Sequence, residues 1–335
     1  MDPDDVVEEA GSVGGSSEVT FISLNKPIWF YGLRNPAWLL PARPAQAKSI
    51  AFLAVACEQA PAGPRPEDDR GRLARAVPLF LAECCWFRLN LRPVAMIPAV
   101  KGMGPAMTDT EMPEEELFEL ADQGHSFAVT GMLKEDGVIC DLSLTLWDLE
   151  GRAKVATFNR VGERYTLGQM ALGLCMQICD AFTDPAPPVS TWYKAPSEAV
   201  IDGYLGSLSR GLSFYLADKK VLPANELVGE SNLLQWMADF ATSSPDLQVP
   251  GIMLIAGLIA DRGMGSDLWQ SFKTEALATI RAMGQRDPQS MLWMLSPVLF
   301  KLYGEDDAYA NRVTELFETG DQNMLAWLEA LENAS

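Results

Sequence analysis

The chain has 335 residues, 48% of them hydrophobic, and carries 45 acidic against 26 basic side chains for a net charge of −19. The apolar share can bury real cores and excludes wholesale disorder, and the length suits two domains of ordinary size. The acidity argues against docking on nucleic acid or an anionic membrane, which need basic patches, and leaves solubility or a basic protein partner as its use.

The opening stretch MDPDDVVEEAGSVGGSSEVTF places acids where a secretory signal needs positive charge and an apolar run. Nothing later reaches the ~18 uninterrupted apolar residues of a membrane span. The expectation is a cytoplasmic chain without membrane insertion, with residues 1–18 a disordered acidic tail.

Residues 19–46, VTFISLNKPIWFYGLRNPAWLLPARPAQ, mix aromatic side chains with Pro27, Pro36, Pro41 and Pro44. Proline removes a backbone donor and restricts the residue before it, so neither a regular helix nor a central strand is expected. The segment reads as an extended arm lying over an apolar surface, its own chain's or a partner's. It would staple one domain to the other or dock on a partner chain. Tryptophan, tyrosine and arginine dominate interface hot spots, which makes Trp29, Phe30, Tyr31, Arg34, Trp38 and Leu39 the candidate partner-binding residues.

From 47 to 183 the pattern alternates between strand and helix. KSIAFLAVAC (48–57) is a nearly continuous apolar run, suited to a strand buried on both faces. EQAPAGPRPEDDRG is a loop by its proline, glycine and charge. Leu73, Ala76, Val77, Phe80, Leu81 and Cys84 recur at helical spacing within 72–89. RPVAMIP gives a second short strand, with a loop around KGMGPAM after it. Proline and acids open, and glycine closes, a short helix in MPEEELFELADQG. FAVTGMLKEDGVICDLSLTLWDLEGRAKVATF (127–158) then reads as a three-strand meander. Cys140, Leu142, Leu144 and Leu146 alternate with polar residues, and KEDGV and DLEGR supply the turns. Between Tyr165 and Phe182, Leu167, Met170, Ala171, Leu174, Cys175, Ile178, Cys179 and Phe182 share one helix face.

This order over 48–183 resembles the TolB amino-terminal-like domain family, with SIAFLAV as first strand and YTLGQMALGLCMQICDAF as closing helix. Gly131, Leu146, Asp148 and Gly151 match the family's recurrent positions in the meander. The match covers about two fifths of the chain. The resemblance implies a non-catalytic module that works in complexes, often joined to helical repeats. The loop after the first strand departs from the family, as does the lack of a periplasmic signal.

Residues 184–196 have the proline density of a linker. Everything from 197 to 335 reads helical, in segments centred on 197–218, 230–243, 249–262, 267–283, 288–303, 306–319 and 321–333, separated by turns rich in glycine and acidic caps. The fold class is therefore an α/β domain, a mixed sheet with flanking helices, followed by an all-α, α-solenoid-like domain without a fixed 34-residue repeat. Trp236, Trp269, Trp293 and Trp327 fit the cores of helix pairs better than a ligand cage.

Motifs for chemistry are weak. His125 is the only histidine, so a triad would rest on one residue at a strand entry, and histidine zinc clusters fail by count. GMG at 102–104 lacks the rest of a dinucleotide loop, and GSLSRG at 206–211 sits in a helical pattern rather than a nucleophile elbow. The acidic triplets at 67–69 and 305–307 lack calcium-loop spacing and read as solvated faces or helix caps. Cys57, Cys84, Cys85, Cys140, Cys175 and Cys179 all sit on apolar faces as reduced thiols; Cys175 and Cys179 lack the second pair that a metal would need. No catalytic residue, cofactor or metal is assigned. The expected function is a non-enzymatic interaction or scaffold subunit of an intracellular bacterial-type complex. The alternative is a small-ligand sensor or enzyme with a pocket between the domains.

Overall fold

The computed structural model describes residues 19–33, 35–58, 63–64, 69–100, 104–182, 192–222, 230–318 and 321–333. The tail expected over 1–18, Arg34, the triplet's 67–68 and the first part of the linker expected over 184–196 lie outside them. In chain order the elements are β1 (Val19–Leu24), α1 (Ile28–Tyr31), a 3-10 turn (Ala37–Leu39), β2 (Ser49–Cys57), β3 (Gly63–Pro64), α2 (Asp69–Arg88), β4 (Arg92–Val100) and β5 (Gly104–Met107). There follow α3 (Glu114–Glu119), β6 (Phe127–Asp136), β7 (Ile139–Asp148), β8 (Ala153–Glu163) and α4 (Leu167–Asp180). The remainder is helical: α5 (Ile201–Asp218), α6 (Glu230–Ser243), α7 (Gln248–Gly263), α8 (Leu268–Ser271), α9 (Lys273–Arg286), α10 (Met291–Met294), α11 (Ser296–Leu302), α12 (Asp306–Phe317) and α13 (Gln322–Asn333).

The chain divides into two compact units, and neither is contiguous in sequence. One takes in the described residues up to Pro27, those of Ala42–Pro188, and Ser197–Ser209. The other takes in Ile28–Pro41, the described residues of Val189–Pro196, and those of Arg210–Ser335.

The first unit is built on a mixed sheet ordered β1-β4-β2-β6-β7-β8, with β5 pairing the end of β4 and β3 pairing β5. β2 runs parallel to both β4 and β6, and the other pairings are antiparallel. A strand flanked by parallel neighbours is covered on both faces, which explains the unbroken apolar run of β2. Helix α2 packs on β2 and β4, α4 packs on β7 and β8, and the two helices meet. Leu117 and Leu120, at α3, form a separate core with Ala51, Leu53, Met96, Ala128 and Trp147.

The meander follows its alternation: Cys140, Leu142 and Leu144 are buried, and Gly137 turns the first hairpin with φ +62°. The second turn is made differently from the expected glycine turn. The positive φ falls on Arg152, while the Gly151 amide donates to Asp148 Oδ1 at 2.9 Å, so the aspartate side chain shapes the bend.

Four other expectations are corrected. Residues 19–46 are not one extended arm: Val19–Leu24 joins the sheet as β1, in register from Val19↔Val100 to Leu24↔Ala95. Part of the loop around KGMGPAM is strand, β5, which carries Pro105 at an outer position where the lost donor is tolerated. The helix expected over 288–303 breaks into α10 and α11 at Leu295, because Pro297 has no amide to continue the ladder. That expected over 267–283 breaks at Phe272, where no comparable residue signal exists.

The second unit is all-α. From α6 to α13, neighbours in the chain pack on one another in turn, the order of a solenoid-like array. Arg210 lies over Trp236 at 4.4 Å, Arg262 over Trp269 at 5.3 Å and Arg312 over Trp293 at 4.7 Å, so three of the four tryptophans between α6 and α13 carry an arginine on a ring face. No helix among the described residues is long and apolar enough to cross a membrane.

Candidate functional site

Pro27 has its φ fixed near helical values and leads directly into the single turn of α1. Ile28, Trp29 and Phe30 are buried within the helical unit. The turn sits tightly on α7: a Cβ on Gly32 would lie 2.7 Å from the Ala256 Cβ, so only glycine permits this approach. Trp29 meets Trp192 edge-on at 6.1 Å, Tyr31 lies 4.9 Å from Tyr215, and Trp38 lies 5.3 Å from Trp327. Trp327 Nε1 donates to the Leu33 carbonyl at 3.2 Å. Of the candidate arm residues, Trp29, Phe30 and Leu39 are thus buried, Tyr31 and Trp38 are half-buried, and Arg34 lies outside the described residues.

With α5, α6, α7, α11 and α13, this arm walls a cavity of about 610 Å³ inside the helical unit. That volume is in the range of small-molecule sites. Its depth is formed by buried side chains, among them Trp29, Phe214, Met237, Met253 and Leu302. Charge is confined to residues nearer solvent: Arg262 and Asp218 are exposed and Lys301 is half-buried. Arg262 Nη1 donates to the Leu302 carbonyl at 3.3 Å. Lys301 Nζ donates to the carbonyl of Leu331 and, at 3.2 Å, to that of Glu332. Among the described residues no carboxylate stands within ion-pair distance of either cation. Asp261, next to Arg262, is buried with Oδ2 accepting from the Trp269 amide at 2.8 Å, and burial raises its carboxyl above the usual range. Tyr303 Oη donates to the Trp269 carbonyl at 2.9 Å, and burial likewise raises its phenol.

The residues that the sequence singles out for chemistry lie elsewhere. His125 Nδ1 is 2.9 Å from Ser49 Oγ, but Ser49 is buried beside the Arg92 carbonyl at 3.2 Å and lines no cavity described here. Glu305 pairs with Lys273 at 2.8 Å and Arg281 at 3.4 Å, and its contact with Lys273 holds its carboxyl below the usual range. The fold does bring a second thiol pair to Cys175 and Cys179, namely Cys84 and Cys85 of α2. Hydrogen bonding to Cys179 and Cys84, with burial, holds the Cys175 thiol well above its ordinary value. Burial does the same for Cys85. All six cysteines are buried and free. Among the described residues no three His, Cys, Asp or Glu side chains are placed to hold a metal ion.

No family model matches the chain, and no curated protein matches it. Among the solved structures similar over part of it are two PelC dodecamers from Paraburkholderia phytofirmans in different crystal forms. One is 16% identical, covering 41% of this chain and 90% of that one; the other is 15% identical, covering 48% and 94%. The TM-score is 0.24 for each, too low to carry an argument about fold or function.

Proposed function

We propose that the chain is a non-enzymatic interaction subunit, a scaffold in an intracellular bacterial-type complex, whose α/β unit is a TolB amino-terminal-like module. The observation that supports this most is the edge of the sheet at β8. Among the described strands β8 pairs with β7 alone, and it runs for 11 residues with most of them exposed. Val155 is 53% and Val161 64% exposed. A long edge with free main-chain donors and acceptors and apolar side chains is a template for a strand from another chain. The acidic surface elsewhere suits a basic partner. The test is capture of partners from the native cell with the full chain, then cross-linking from Lys154. The expected result is one partner cross-linked at β8 and lost when Val155→Lys and Val161→Lys are combined. A partner retained equally by that double variant would overturn the reading.

A second reading, a small-ligand sensor, is favoured by the cavity of the helical unit. A metabolite that raises the melting temperature of the wild type but not of a variant with the cavity filled would support it.

A further inference from the structure

We infer that the cavity of the helical unit binds an amphipathic anion, a hydrocarbon chain ended by a carboxylate, with the chain inside and the head group at Arg262 and Lys301. The inference rests on the second reading above and specifies its ligand class. The depth decides the body of the ligand. Trp29, Phe214, Met237, Met253 and Leu302 offer no charged group, and a sugar or nucleotide buried there would leave its polar atoms unpaired. The two methionines have flexible thioether side chains that adapt to a chain of variable shape.

The mouth decides the head group. Arg262 and Lys301 bring two positive charges against the single negative charge of Asp218. Each cation has only main-chain carbonyls as hydrogen-bond acceptors among the described residues, which satisfies donors without neutralising charge. Beyond the lining residues, Lys219, its Nζ 5.9 Å from the ring of Tyr215, is offset by Glu332, whose main-chain carbonyl accepts from Lys301 at 3.2 Å, so the excess rests on Arg262 and Lys301. In a chain of net charge −19 such a local positive excess selects an anion.

The experiment titrates the full-length protein with dodecanoate and, separately, dodecanol, each below the concentration at which it aggregates, by isothermal calorimetry. Dodecanoate should bind at least roughly tenfold tighter than the alcohol, the scale of a charge-assisted hydrogen bond. Arg262→Met combined with Lys301→Met should bring the two probes to equal affinity. Ala260→Trp, which fills the cavity from α7, should abolish both, with its own melting temperature showing that it folds. Equal affinity of the wild type for the two probes would overturn the anion inference but keep the cavity as a ligand site. Binding of neither, or binding undiminished by Ala260→Trp, would overturn both.

Discussion

The carboxylate of Glu83 is wholly buried in α2 and accepts a hydrogen bond from Tyr204 Oη. Phe80 meets the same tyrosine ring edge-on at 6.0 Å, so the phenol is held in place. Removing a donor from a buried carboxylate leaves part of its desolvation uncompensated. Tyr204→Phe should therefore cost about 1–3 kcal/mol in denaturant unfolding, with an unchanged slope; an unaltered midpoint would show that other donors satisfy Glu83. Asp261 acts in the opposite sense. Its folded-state pKa is raised by burial, so the native state holds the proton more tightly than the unfolded chain. Stability from this group is then present at low pH and is lost as pH rises through the raised value. Asp261→Asn keeps an oxygen for the Trp269 amide and removes the charge. Its melting temperature should gain on the wild type as pH rises above about 4, the ordinary carboxylate value. A difference independent of pH would refute this. Glu305, held low by Lys273, contributes with the reverse sign and is common to both proteins.

At the level of elements, α1 and the 3-10 turn show what the aromatic arm does in its own chain. Trp29 and Leu39 are each 1% exposed. Trp29→Ala should lower stability by about 3–5 kcal/mol, the range for truncating a buried tryptophan. A loss below about 1 kcal/mol, typical of surface positions, would return Trp29 to the role of a docking residue. Most of the elements were legible in the sequence, because one-sided burial writes a period into the chain. Leu142 and Leu144 alternate with polar neighbours, and Leu174 and Ile178 recur on one face of α4. The unread elements have no period to offer. β1 has six residues, β5 four, and each is specified by ladder bonds to β4 rather than by its own pattern. The cavity was not legible at all. Trp29, Phe214, Met253 and Lys301 are far apart in sequence and share no motif, so their convergence exists only once the helices have packed.

The molecule as a whole returns to each unit more than once, which a sequence reading by adjacency cannot see. It placed the boundary at a single linker over 184–196. In the structure Trp192, at the end of that stretch, is buried against Trp29 in the helical unit, and Ile201–Ser209 of α5 belongs to the α/β unit. The first 45 residues contribute β1 to the sheet and α1 and the 3-10 turn to the helical unit. Arg43 adds a guanidinium 4.6 Å from the Trp86 ring, within the α/β unit. Such a segment is held by a strand ladder and by buried aromatic side chains, and the peptide bond after it adds only a tether. A protease site inserted at the exposed pair Ala45 and Gln46 tests this in the full-length protein. After cleavage the two pieces should co-elute on a sizing column and separate only in denaturant. The melting temperature of the nicked form should become dependent on protein concentration, because its unfolding now releases two molecules. Dissociation of the amino-terminal piece under native conditions, with the remainder still folded, would show that β1 and the arm decorate the two units without holding them.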